Sequence, residues 1–190
     1  VEGALARPLF QGDRITLAAI DPERDAATLA DWSHDSELMR AVDPAPLRPQ
    51  TVAQVKARLS DAEEAEARYE FLIRTRSDDR AIGFVRLERL QPIHGSAMVV
   101  LAISAPADRG RGYGREALGL IVEVAFGELN LHRLGAVVPG DNARALGFLE
   151  RMGFQVEVRR REAVQRDGRR WDLVHLGLLA REWRESGGSR

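Results

Sequence analysis

Arg109-Gly110-Arg111-Gly112-Tyr113-Gly114 is the stretch from which the rest of the chain can be read. An apolar run, residues 98–103, precedes it, and a helix-like run, residues 116–126, follows it. A strand, a glycine-rich turn and a helix N-terminus in that order make a cradle for an anion. Glycine lets the backbone approach closely and adopt positive φ. The first helical turn offers N–H groups without intrahelical partners and a partial positive charge. Arg109, Arg111 and Arg115 add charge-assisted donors suited to phosphate oxygens. The stretch therefore predicts a phosphorylated ligand, although a plain tight strand-to-helix turn would use the same glycines.

The common nucleotide motifs do not fit. Gly-x-Gly-x-x-Gly opens the first βα turn of a dinucleotide fold, with an acidic ribose partner about 20 residues on. Here the turn follows several strands, and no acidic residue ends a second parallel strand at that distance. A phosphate loop ending Gly-Lys-Ser/Thr is excluded by Gly112-Tyr113-Gly114.

Working outward, residues 14–20 read as a strand, and residues 22–32 as a helix with Asp21 as N-cap and Pro22 at the first position. Pro44, Pro46 and Pro49 mark a loop. Residues 51–67 read as a helix with Val52, Val55 and Leu59 on one face. Strands are expected at residues 69–76, 81–90 and 96–104, with turns at Asp78-Asp79 and around Pro92 and Gly95. After the cradle, a helix runs to about Glu128, with Leu118, Ile121, Val122 and Ala125 on its inner face. A short strand follows at 134–138, then a helix at 142–152 stopped by Gly153. Residues 154–164 and 171–179 alternate as strands around an Asp167-Gly168 hairpin signal. This order predicts an α/β (α+β) fold: a mixed central sheet of about seven strands with helices on both faces. One domain over residues 1–185 is expected, with a disordered tail at 186–190.

Composition bounds the function. The 190 residues are 30% charged and 44% hydrophobic, values typical of globular proteins, and net charge is −1. No global basic field invites nucleic acid, and no apolar run is long enough to span a bilayer. Cysteine is absent, which removes disulfides, thiolate nucleophiles and cysteine metal sites and fits a reducing, cytoplasmic setting. Lys56 is the only lysine, so individual arginines carry less information than usual. His34, His132 and His175 show no metal spacing, and no metal is expected. Arg159, Arg160, Arg161, Arg166, Arg169 and Arg170 read as a solvated basic hairpin. Trp32, beside loop 35–50, is a candidate for the wall of a substrate pocket.

Arg109 to Gly114 resembles the (Arg/Gln)-x-x-Gly-x-(Gly/Ala) signature of the GCN5-related N-acetyltransferases. Asn142 opens the next helix after a short strand, and Glu150-Arg151-Met152-Gly153-Phe154 is similar to the family's Glu-Lys-Leu-Gly-Phe segment. Arg14-Ile15-Thr16-Leu17 and Asp25, then Asp167-Gly168, Asp172, Leu178-Leu179 and Glu182-Trp183, resemble the RimJ/RimL-type branch. The resemblance implies acetyl-CoA as co-substrate and transfer of acetyl to a primary amine, either a protein N-terminus or a small amine. It also implies a V-shaped splay between the strands ending near Ile103 and Val138. Leu101, Ala102, Ile103 and Asn142 would meet the pantetheine arm, and Arg109, Gly110, Arg111, Gly112, Tyr113, Gly114 and Arg115 the pyrophosphate. A homodimer is common among similar proteins.

Direct transfer needs a neutral amine, a donor for the developing oxyanion and a proton for the departing thiolate. The resemblance puts the oxyanion donor on the backbone near Ala102 or Ile103. It also puts the usual proton-donating hydroxyls where this chain has Ala145 and Leu149, and neither carries one. Glu88 and His94, with Glu70, are the candidate bases, since they lie on or beside the central strands. Glu116 reads as a structural residue, and Met98 stands where some relatives carry a strand glutamate. The missing hydroxyls favour an alternative, a weak or inactive acyl-CoA-binding module.

Overall fold

The glycine-rich stretch is itself the start of a helix, and the sheet in front of it divides at the same level. The computed structural model describes residues 8–61 and 68–187. In chain order the elements are β1 (Ile15–Ala19), α1 (Pro22–His34), α2 (Ser36–Val42), α3 (Val52–Leu59), β2 (Tyr69–Thr75), β3 (Ala81–Gln91) and β4 (Ser96–Ile103). Then follow α4 (Tyr113–Glu123), β5 (Arg133–Pro139), α5 (Ala143–Arg151), β6 (Gln155–Arg166), β7 (Arg169–Leu179) and α6 (Ala180–Glu185). One π-helical turn, Val124–Glu128, extends α4.

The seven strands lie in one mixed sheet, as the strand pattern predicts, and their order is β1-β2-β3-β4-β5-β7-β6. All neighbours are antiparallel except β4 and β5. That parallel pair is joined only at Ser96↔Arg133, Ala97↔Leu134 and Met98↔Gly135. Beyond Met98 the two strands part, so residues 99–103 and 136–139 face each other across an open V. Each arm stays paired on its outer side, β4 to β3 and β5 to β7. Gly83 sits where the β4 arm crowds β3: a Cβ there would lie 2.0 Å from the Ala102 carbonyl oxygen. A side chain at 83 would push the arm back toward the seam.

Alternation along the strands feeds two layers. Ile73, Val85, Leu87 and Val99 pack with Leu118, Ile121 and Val122 of α4 on one face. Leu72, Phe84 and Ala102 pack with Ala26, Leu29, Leu38 and Val55 of α1–α3 on the other. Each fully buried aliphatic side chain contributes about 1.5–3 kcal/mol.

Local signals explain most element ends. Asp21 accepts hydrogen bonds from the Glu23 and Arg24 amides and starts α1. Asp167 (φ 50°) and Gly168 (φ 73°) make the two-residue turn between β6 and β7 in the left-handed conformation that such hairpins require. Three expectations need correction. Helix α2 replaces part of the predicted loop 35–50, because Asp35 both ends α1 and caps α2 by accepting from the Leu38 amide. Helix α3 stops at Leu59 with Ser60 as its cap; residues 62–67 of the predicted helix lie outside the described residues. Helix α4 begins at Tyr113, three residues before the predicted run, so Gly114 belongs to its first turn. Helix α6 ends at Glu185, and residues 188–190 of the expected tail lie outside the described residues.

One buried ionic group locks α1 to the sheet. Asp25, 1% exposed, accepts from the Asp21 amide (3.0 Å), Arg24 Nε (2.9 Å) and Arg74 Nη2 (2.5 Å). Burial pushes the Asp25 carboxyl up, but the Arg24 and backbone hydrogen bonds and the Arg74 charge outweigh it and hold the pKa below its ordinary value. The stability this gives is complete above the unfolded pKa of about 3.9 and is lost as pH falls through the lower folded pKa. Removing one partner of a buried ion pair costs about 3–5 kcal/mol. Asp25→Asn is therefore expected to lower unfolding free energy in urea by about that much at neutral pH, with the difference from wild type shrinking below pH ~4. A loss under ~1 kcal/mol at neutral pH would show that the pair carries no such weight.

Candidate active site

The V between β4 and β5 opens into a cleft of about 770 Å³. Its walls are the end of β4 (Leu101, Ala102, Ile103), the cradle and the first turns of α4 and α5. Its roof is α2 with the tip of the β6–β7 hairpin, where Arg166 and Asp167 line it. Two bonds join the parts of that roof: Arg40 Nη1 to Asp167 (3.1 Å) and Arg166 Nη2 to the Asp43 carbonyl (2.9 Å).

The cradle is built from backbone. Gly110 (φ 77°) and Gly112 (φ 87°) turn the chain through the left-handed region, and Gly112 is the N-cap of α4. No side chain caps this helix, and its first bond runs from the Glu116 amide to the Gly112 carbonyl. The amides of Tyr113, Gly114 and Arg115 are thus without intrahelical partners and gather at the cleft end of the helix. The loop before them is pinned by Asp108, 4% exposed, which holds Arg80 through both carboxylate oxygens (2.7 and 3.0 Å). Those Arg80 hydrogen bonds keep the Asp108 carboxyl below its usual range despite its burial.

Of the eleven residues expected at the co-substrate, all but Arg111 and Tyr113 line the cleft. Arg111 is exposed and presents its carbonyl to Arg14 Nη1 (2.6 Å). The Tyr113 ring turns toward the core and lies 5.4 Å from the Arg14 guanidinium carbon. Arg109 lines the cleft but is engaged: Nε and Nη2 donate to the Ile103 and Ser104 carbonyls, and Nη1 meets Glu37 of α2 at 2.8 Å. It caps the end of β4 and ties it to the roof. Asn142 accepts from the Ala145 amide (3.0 Å) and donates to the Ala41 carbonyl (3.5 Å), bracing α5 against α2. Arg115, Arg144 and Arg151 also line the cleft, and among the described residues they form no ion pair. Arg144 and Arg151 went unrecognised in the sequence; their seven-residue spacing on one helical face was the available signal.

The expected bases fare differently. His94 lies in the exposed turn before β4, at the opposite end of that strand from the cradle, about 23 Å away at 3.3 Å per residue. It is no part of the cleft. Glu88 pairs across the strands with Met98, is bonded to Arg86 Nε (2.8 Å), and lines neither cavity described here. Ala145 and Phe148 do line the cleft, whereas Leu149 is buried in the core. The cleft thus lacks a tyrosine hydroxyl on α5. Among the described residues, no three His, Asp or Glu side chains gather in a group able to hold a metal ion.

A second cavity of about 410 Å³ lies on the α1–α3 side of the sheet. Leu29, Trp32 and Phe84 form its apolar lining, and Glu70 lies within it. Phe84 is the cross-strand partner of Ala102 in the cleft wall, and α2 borders both spaces through Met39 on one side and Leu38 and Arg40 on the other. Trp32 lines this cavity.

Comparison with known proteins agrees with this geometry. Residues 14–155 match the model of the family described as acetyltransferase (GNAT) domain. The probable N-acetyltransferase YjcK of Bacillus subtilis is 37% identical over 118 residues, 61% of this chain; the match spans 64% of that relative's length. An uncharacterized N-acetyltransferase p20 of Bacillus licheniformis is 25% identical over 172 residues, 90% of this chain and 96% of that one. The crystal structure of a spermidine N-acetyltransferase from Vibrio cholerae, in complex with CoA and spermine, superposes with a TM-score of 0.81 over 90% of this chain and 99% of that one, at 22% identity. With the forked sheet, the uncapped glycine-rich helix and a family match over most of its length, this chain belongs to the GNAT acetyltransferase family.

Proposed function

We propose that this protein transfers the acetyl group of acetyl-CoA directly to a primary amine. The observation that carries the reading is the meeting, in one cleft, of the β4–β5 fork with an uncapped helix N-terminus and three arginines that form no ion pair among the described residues. The fit to CoA is chemical. The Tyr113, Gly114 and Arg115 amides suit a pyrophosphate, and Arg115, Arg144 and Arg151 suit further phosphate charge. Beyond Met98 and Gly135 the facing edges of β4 and β5 are not paired with each other, which leaves strand backbone to which the pantetheine amides can bond.

The amide C–N bond forms as the thioester C–S bond breaks; the amine loses a proton and the thiolate gains one. Bases are scarce here, so the amine's own pKa matters. Deprotonating an α-amine at pH 7 costs about 1–1.4 kcal/mol, and a lysine ammonium about 4.6 kcal/mol. The backbone near Ala102 and Ile103 is our candidate donor to the oxyanion. A thiol of pKa about 8.5 leaves acceptably and takes its proton from solvent, which makes Ala145 and Leu149 compatible with slow turnover. The low cost of an α-amine and the ending Asp167-Gly168, Asp172, Glu182-Trp183 support an N-terminal acceptor of the RimJ/RimL type, while the likeness to a spermidine acetyltransferase supports a small amine. A second reading, an acyl-CoA-binding module, is favoured only by the two missing hydroxyls.

Thiol release from acetyl-CoA against an amine panel, run beside CoA calorimetry, separates these. Amine-dependent release is expected; CoA binding with no release for any amine would leave the binding module. Gly112→Ala puts a Cβ in the left-handed region at about 1–2 kcal/mol and 2.5 Å from Arg14 Nη2. CoA should bind about 10-fold more weakly in that variant. Ala145→Ser restores a hydroxyl to the cleft wall and is expected to raise kcat, by up to about 10²-fold, with little change in CoA affinity. An unchanged kcat would mean that thiolate protonation does not limit the rate.

A further inference from the structure

The second cavity has the wrong charge for a polycation. Its floor is aromatic and apolar, with the Trp32 and Phe84 ring centres 6.2 Å apart. Among the described residues its lining carries Arg48, Arg58, Arg68 and Arg86 with two carboxylates, Asp43 and Glu70, and Glu88 bonds to Arg86 from beside it. Glu70, its side chain 8% exposed, meets Arg58 Nη1 at 3.1 Å, Arg68 Nε at 3.5 Å and Arg86 Nη1 at 3.9 Å. Arg86 also gives Nε to Glu88 and lies over the Phe84 ring, 5.5 Å from its centre. A guanidinium has five N–H donors, so these contacts leave donors of Arg58 and Arg86 available. Arg48 is exposed and forms no ion pair among the described residues. An apolar trough rimmed by a surplus of guanidinium groups is a site for an anion attached to an apolar body.

We infer that the acceptor is an amine that also carries a carboxylate or similar anion, held from the amino group by an apolar spacer. This rests on the acetyl-transfer reading above. The trough adjoins the cleft at the Phe84↔Ala102 pair, and Arg86 stands two residues along β3 from Phe84. A spacer of about 7 Å, the span of two residues of strand, is the length put to the test. The anion seats among Arg48, Arg58 and Arg86, the spacer lies on Trp32 and Phe84, and the amine reaches the fork. A polyamine would instead bring ammonium groups against the arginines, and like charge repels it.

The test uses matched amines: para-(aminoethyl)benzoate, its neutral benzamide, and spermidine, each assayed by thiol release from acetyl-CoA. The benzoate is expected to exceed the benzamide in kcat/KM by about 10-fold or more, the scale of a hydrogen bond to a charged group. Arg48→Gln, at an exposed position, should shrink that preference several-fold. Equal rates for acid and amide, or a preference for spermidine, would overturn the inference and leave acetyl transfer standing. Should no amine release thiol, calorimetry of benzoate against benzamide on CoA-loaded protein still reads the pocket. Tighter binding of the acid, weakened in Arg48→Gln, supports the inference, and equal binding overturns it.

Discussion

The parallel seam between β4 and β5 is only three residue pairs long, and the rest of the molecule is arranged around where it stops. Each arm beyond the fork keeps its antiparallel neighbour, β3 for one and β7 for the other, so the arms separate without losing order. The chain leaving the β4 arm enters the cradle, and the chain leaving the β5 arm enters α5 through Asn142. Two helix N-termini thus flank one gap. Gly83 makes room for the β4 arm by letting the Ala102 carbonyl come against β3.

The roof is assembled differently from the walls. Helix α2 has seven residues, too few to be stable alone. It is held by Leu38 in the core and by contacts from separate parts of the chain: Arg109 to Glu37, Asn142 to Ala41, Arg40 to Asp167. The two ion pairs among these include exposed carboxylates, and such pairs contribute about 0–1 kcal/mol each. Cooperation between several weak ties, rather than one strong bond, closes the cleft.

Much of this was legible in the sequence because the signals are local. The alternation in β2–β4, the left-handed glycines of the cradle and the Asp167-Gly168 turn each act within a few residues. The fork itself came from resemblance, since nothing in residues 98–103 alone says that pairing ends at Met98. Helix α2 was hidden because Asp35 serves two helices at once and the prolines behind it speak for a loop. The direction of the Arg109 side chain depends on Glu37, 72 residues away, and cannot be read from a glycine-rich motif. His94 looked close to the chemistry because it adjoins β4 in sequence, but a strand has two ends and the cradle is at the other. The arginine rim was invisible for a related reason: Arg48, Arg58 and Arg86 sit on a loop, a helix and a strand that only the fold brings together.

Helix α2 is a party wall. One side of it faces the cleft at the cradle, and the other borders the arginine-rimmed trough. Whatever free energy one occupant gains by shifting this wall must appear, with equal size, in the affinity of the other. Arg109 bonded to Glu37 makes the dependence concrete, since a phosphate that drew Arg109 away from Glu37 would loosen the wall of the neighbouring space. Any coupling between the two spaces then runs through a helix of seven residues and is a property of that helix, not of either space alone.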